Sequence, residues 1–279
     1  MARGIRTSVL FGACVFGLAA QTPPPVVGVG TFIHVAADLD KTIHFYGDIL
    51  GLERSGVPGA PAFTANPVVE GLYDAKGSQS RVVAFKVPNS ALGVEFVQFS
   101  IQPRYFRPRL EDPGASVLSV PVRDVKAVMA ALGEKSPLVQ DPDGFYIRLV
   151  DAASPARLAL TVGEMDQTLH LFRDLLGFQP VGNKAKVPGT DFEVEFVQGS
   201  GLKPKEPESI HDPGAGVLRL IVRDVDALLA TLTPAIAPVV SAGGEPVSLG
   251  GRHVVILRDP DNFFFQLMQQ PPRPPTATR

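Results

Sequence analysis

Cysteine occurs once in these 279 residues, at Cys14, and tryptophan not at all. A lone thiol excludes an intrachain disulfide and a cysteine metal cage. Basic runs are also missing. Lys and Arg number 26 against 28 Asp and Glu, a net charge of −2. That balance lacks the clustered cations that bind a phosphate backbone, so nucleic acid is excluded as a partner. Neither a glycine-rich phosphate loop nor a Ser-His-Asp arrangement stands out. The apolar run at the N-terminus, Ser8 to Ala20, has 13 residues, fewer than the roughly 20 that span a bilayer.

What is present begins with that run. Arg3 and Arg6 precede it, small residues Gly17, Ala19 and Ala20 end it, and "QTPPP" follows. This is the three-part layout of an export signal over residues 1–20, cut after Ala19 or Ala20, with residues 21–30 as a linker. The mature chain would carry a net charge of −4 and no thiol. Its expected place is periplasmic or extracellular, with no stable membrane span once the signal is removed.

An internal duplication dominates the rest. "DLDKTIHFYGDILGLE" (Asp38 to Glu53) returns as "GEMDQTLHLFRDLLGFQ", and "EFVQ" at Glu95 returns at Glu195. "DPGASVLSVPVRDVKAVMAAL" from Asp112 is matched at 13 of 21 positions by "DPGAGVLRLIVRDVDALLATL" from Asp212, and "QDPDGFYIRLV" by "RDPDNFFFQLM". The copies differ by insertions, one between Arg54 and Ala91 and one between Pro238 and Ile256. Two homologous domains are expected, residues 31–152 and 156–270, with a disordered tail at 271–279.

Each copy reads as two β-α-β-β-β halves. A strand (Thr31 to Ala36; Arg157 to Val162) leads to a helix with Asp40 or Asp166 near its N-cap. That helix buries Ile43, Tyr46, Ile49 and Leu50, or Leu169, Phe172, Leu175 and Leu176, and stops at Gly51 or Gly177. The fold class is α+β.

The helix pattern "FYxxxLG", the "VRDV" junction and the "DPDG" turn, in order and twice over, resemble the vicinal oxygen chelate superfamily of glyoxalase I, bleomycin and fosfomycin resistance proteins and extradiol dioxygenases. The resemblance covers nearly all of residues 31–270. It implies two tandem domains of this type, each a curled mixed sheet around a cleft. It also implies a divalent metal held from the first, fourth, fifth and eighth strands. On that alignment the first domain offers His34, Glu95, Val117 and Arg148, and the second Leu160, Glu195, Val217 and Gln266. His34 and Glu95 are competent metal ligands. A guanidinium at Arg148 stands where a dication would bind, and the second set keeps one carboxylate.

The expectation is therefore a degenerate metal site and no required cofactor, with cleft ion pairs Glu95 with Arg148 and Glu195 with Arg219. Strand parity adds Tyr146 beside Arg148 and sets Gln266 with Phe264, so Glu95, Arg148, Tyr146, Glu195, Arg219 and Gln266 form the expected ligand-binding set. The same ion pairs read equally as structural pairs with no ligand. Exchange of half-domains would instead bring His34 and Glu95 beside Gln266. His44 and His170 pair with Asp48 and Asp174 along helices, and His211 and His253 sit in or beside loops. Two functions follow. One is an exported protein that binds a small organic molecule. The other is a lyase, isomerase or dioxygenase with a single Zn²⁺, Ni²⁺, Mn²⁺ or Fe²⁺ at His34 and Glu95.

Overall fold

A computed structural model describes residues 23–56, 61–101, 104–105, 107–201, 209–232 and 236–271. The export segment with Cys14 and the tail from 272 lie outside the described residues. In the first copy the order is β1 (Val26–Val35), α1 (Leu39–Ile43), β2 (Glu53–Ser55), α2 (Pro67–Leu72), β3 (Ser80–Lys86), β4 (Gly93–Phe99), β5 (Ser116–Val122), α3 (Val125–Leu132), β6 (Leu138–Gln140) and β7 (Tyr146–Asp151). The second copy gives β8 (Arg157–Val162), α4 (Met165–Leu169), β9 (Gln179–Val181), β10 (Lys184–Lys186), β11 (Glu193–Gln198), β12 (Gly216–Val222), α5 (Val225–Leu229), β13 (Val247–Leu249), β14 (Arg252–Arg258) and β15 (Phe264–Gln269). The first strand starts at Val26, five residues inside the expected linker, because "VVGVG" pairs along β12.

The helices show why simple periodicity was incomplete. α1 and α4 each run on into a π-helical turn, His44–Ile49 and His170–Leu175, closed by Leu50 N–H to Phe45 O and Leu176 N–H to Leu171 O, both 2.9 Å. The wider turn rotates the face, so Phe45 and Leu171 enter the core beside Tyr46 and Phe172. Gly51 and Gly177 end the helices at φ of 71° and 78°. The first cap is Asp38, whose carboxylate accepts from the Asp40 and Lys41 amides, rather than Asp40.

The two mixed sheets do not follow the two repeats. One is eight-stranded, in the order β13-β14-β15-β12-β1-β4-β3-β2, and the other seven-stranded, β6-β7-β5-β8-β11-β10-β9. Each sheet joins the first half of one copy to the second half of the other. The link is the repeated "DPGA": Gly214 N–H bonds Val35 O, and Gly114 N–H bonds Thr161 O. Gly114 has φ of 93°, and a Cβ there would lie 2.4 Å from the Asp261 carbonyl oxygen, so this crossover admits only glycine. One face of each sheet packs into a shared core containing Phe32, Phe96, Leu118, Leu160, Phe196 and Phe265.

The opposite face of the eight-stranded sheet holds a second apolar cluster, Ile33, Val35, Val97, Phe99, Val217, Ile256 and Phe264, covered by Leu72 and Tyr73. Its cover comes from both sequence insertions. α2 lies in the first and β13 in the second, and Ser241 Oγ donates to Leu72 O at 3.1 Å. Among the described residues, the matching face of the seven-stranded sheet has no such cover and carries the exposed Val197 and Arg148.

Candidate functional site

Strand alternation decides which residues can meet. β1 and β4 pair in parallel with Ile33 opposite Glu95, so Glu95 shares the covered cleft with Ile33, while His34 points the other way, into the shared core. His34 and Glu95 therefore cannot hold one metal ion, and the expected pair is corrected. The parity was hidden in the sequence because "FIHVA" is buried on both faces. A bulge between Val29 and Phe32 turns both Gly30 and Thr31 to the cleft. Thr31, not His34, is the polar side chain that the first strand turns to the cleft.

Half-domain exchange then sets the partners. Arg219 on β12 reaches Glu95 with Nη2 to Oε1 at 3.2 Å and Nη1 to Oε2 at 3.4 Å, and its Nε donates to Gln266 Oε1. The expected pairs Glu95 with Arg148 and Glu195 with Arg219 do not form, because each would join residues of different sheets. Gly30 leaves room for the stem of Arg219: a Cβ there would stand 3.0 Å from Arg219 Cδ, tighter than an ordinary contact. The ion pair is mostly buried, with side chains 15% and 23% exposed. Tyr73 closes over it. Burial and the nearby Glu95 carboxylate raise the phenol's pKa, only partly countered by Arg219, so it stays protonated. Thr31 Oγ1 and Gln266 Nε2 are buried there without hydrogen-bond partners.

Arg148, Tyr146 and Glu195 lie instead on the open face of the seven-stranded sheet. Glu195 accepts from Asn183 Nδ2 at 3.2 Å, and the neighbouring Glu193 pairs with Arg157 at 3.1 Å. The six expected ligand residues thus divide between two clefts, Glu95, Arg219 and Gln266 in one and Glu195, Arg148 and Tyr146 in the other.

His34 has acquired different neighbours. Its Nε2 lies 3.2 Å from Asp141 Oδ2 and 3.7 Å from Asp143 Oδ2, both in the "DPD" turn. Burial lowers the imidazole pKa, but the two carboxylates outweigh it and hold the group at about 10. Tyr46 donates to Asp141 Oδ2 at 3.0 Å. From the sequence alone "DPD" marks only a turn. The signal was there in the repeat: the second copy keeps both aspartates, Asp259 and Asp261, but replaces His34 by Leu160 and Tyr46 by Phe172.

No protein-family model matches the sequence, and no curated protein does. Solved structures do. Glyoxalase I from Zea mays superposes with a TM-score of 0.57 at 17% identity, over 86% of this chain and 92% of that one. A putative dioxygenase from Bacillus subtilis superposes with a TM-score of 0.55 at 12% identity, over 89% and 87%. The chain has the vicinal oxygen chelate fold. At these identities the likeness concerns architecture, and function has to come from the site.

In this chain the covered cleft does not suit the divalent metal implied by the resemblance. Among the described residues its polar groups are the Glu95 carboxylate, the Thr31 hydroxyl and Tyr73 phenol, the Gln266 amide and a guanidinium that remains charged at every relevant pH. Arg219 already takes the carboxylate, and a dication a few ångströms from it would be repelled in a medium of low effective dielectric. Among the described residues, no helix is long and apolar enough to cross a membrane.

Proposed function

We propose that this chain binds a small organic molecule in the covered cleft, through carbonyl or carboxylate oxygens of the ligand, without a metal there. The observation that carries the reading is the Arg219 guanidinium, fixed by Glu95 and Gln266 among apolar walls. A fixed guanidinium is pre-organised to donate to planar oxygens. Thr31 Oγ1 and Gln266 Nε2 supply further unpartnered polar atoms, whose burial without a ligand is unfavourable. Elements from both insertions cover this cleft and, among the described residues, none covers the other, which supports a ligand that must be shielded from water.

A thermal-shift screen of small carbonyl and carboxylate compounds against the parent and Arg219→Met tests it. Compounds that raise the parent's melting temperature should leave the variant's unchanged. Uptake of a divalent ion that disappears in Glu95→Gln would overturn the reading.

We propose further that the mature protein is exported, on the strength of the N-terminal layout over residues 1–20. Intact mass of the product from a secreting host should show a chain starting at Ala20 or Gln21. Recovery of full-length protein in the cytoplasm would refute it.

A further inference from the structure

We infer that His34, Asp141 and Asp143 form a binding site for one divalent transition-metal ion inside the core, separate from the cleft. All three side chains are at least 97% buried, and their ligating atoms lie within 4.8 Å of one another. Each carboxylate uses one oxygen on the backbone: Asp141 Oδ1 accepts from the Asp143 and Phe145 amides, and Asp143 Oδ1 accepts from the Ala37 amide. The remaining oxygens both turn toward His34 Nε2. Nε2 makes no aligned hydrogen bond with either, and Asp143 Oδ2 is likewise buried without a hydrogen-bond partner. Imidazole and carboxylate oxygens together suit first-row divalent ions such as Zn²⁺ or Mn²⁺.

Charge balance favours the ion. The walls are apolar: the Phe145 and Phe96 rings stand 5.0 and 5.8 Å from the imidazole. Arg107 reaches only the backbone carbonyl of Asp143. Two carboxylates with one imidazolium leave a net negative charge in the core, whereas two carboxylates, a neutral imidazole and a dication sum to zero. Tyr46 stays a phenol, since burial and Asp141 both raise its pKa, and its hydrogen bond orients Asp141 as outer-shell partners orient metal ligands.

The repeat shows that the fold does not need this group. In the second copy Asp259 makes the same turn, accepting from the Asp261 and Phe263 amides, with Leu160 and Phe172 at the other two places. The ion would fasten β1 in one sheet to the turn before β7 in the other. It is closed to substrate and so structural.

The test is elemental analysis of full-length protein refolded with Zn²⁺ alone or Mn²⁺ alone and then desalted, with melting temperature as a second readout. About one ion per chain is expected, with a raised melting temperature, because binding free energy becomes folding free energy. His34→Leu should lose the ion and Glu95→Gln should keep it. A parent that refolds without bound metal, or His34→Leu carrying as much as the parent, overturns the inference. The parent's own content decides the matter even if the variant does not fold. Loss in Glu95→Gln alone would count against the metal-free cleft instead.

Discussion

Arg219 of the second repeat lies against Glu95 of the first, 124 positions away in sequence, with its guanidinium held on the other side by Gln266. The pair joins β12 to β4 across β1, so it exists only because the half-domains are exchanged.

Breaking that pair from either side should be unequal. Arg219→Met leaves the Glu95 carboxylate mostly buried and unpartnered, which should cost about 1–3 kcal/mol. In Glu95→Gln a neutral amide still accepts from the guanidinium, and the loss should be smaller. Urea unfolding of both single variants and the double variant measures this. Additive effects would show that the two side chains do not interact.

Tyr46→Phe, which copies Phe172 of the other repeat, removes one buried hydrogen bond to Asp141 and keeps the ring packing against Phe96 and Phe45. The expected destabilisation is about 1 kcal/mol, read as a lowered unfolding midpoint. An unchanged midpoint would mean that the hydroxyl contributes nothing to holding Asp141.

Freed of metal by chelator, the protein should lose stability as pH rises. The folded pKa of His34, about 10, lies above its ordinary value of 6.5, so the protonated imidazole stabilises the fold fully below about 6.5 and not at all above about 10. The carboxylates of Asp141 and Asp143 and the phenol of Tyr46 are the titratable groups that face it. Melting temperature between pH 6.5 and 10 should fall in the chelated parent more steeply than in His34→Leu. Parallel curves would show that His34 is not protonated in the fold.

Gly114→Ala combines a positive φ with a Cβ placed 2.4 Å from a backbone oxygen. A loss of at least 1–3 kcal/mol is expected from roughly that much local strain. Gly182→Ala, at φ of 64° with nothing within 4 Å, should cost only about 1 kcal/mol. Comparable denaturation midpoints for the two variants would remove the special place given to the "DPGA" crossover.

The duplication, the helix stops at Gly51 and Gly177 and the two insertions were all legible in the chain, because each is a local pattern or a repeat of one. So were the strand positions of Glu95 and Gln266, on β4 and β15, since the resemblance fixes their places along the chain. The facing of His34 was not: a strand buried on both sides shows no alternation to read, and the bulge at Gly30 and Thr31 shifts parity without marking the sequence. The strength of the "DPD" turn as part of a polar cluster was visible only as a contrast between copies, Leu160 against His34 and Phe172 against Tyr46.

By itself, then, the sequence determined the α+β halves, their number and their order, because hydrophobic period and turn residues act over a few neighbours. Which half pairs with which was decided by tertiary structure alone. Either pairing satisfies the same local preferences, and the choice rests on contacts more than a hundred residues apart, such as Gly214 with Val35 and Arg219 with Glu95. That choice sent Arg148 to an open sheet face, drew Arg219 into the covered cleft, and left His34 facing two aspartates in the core.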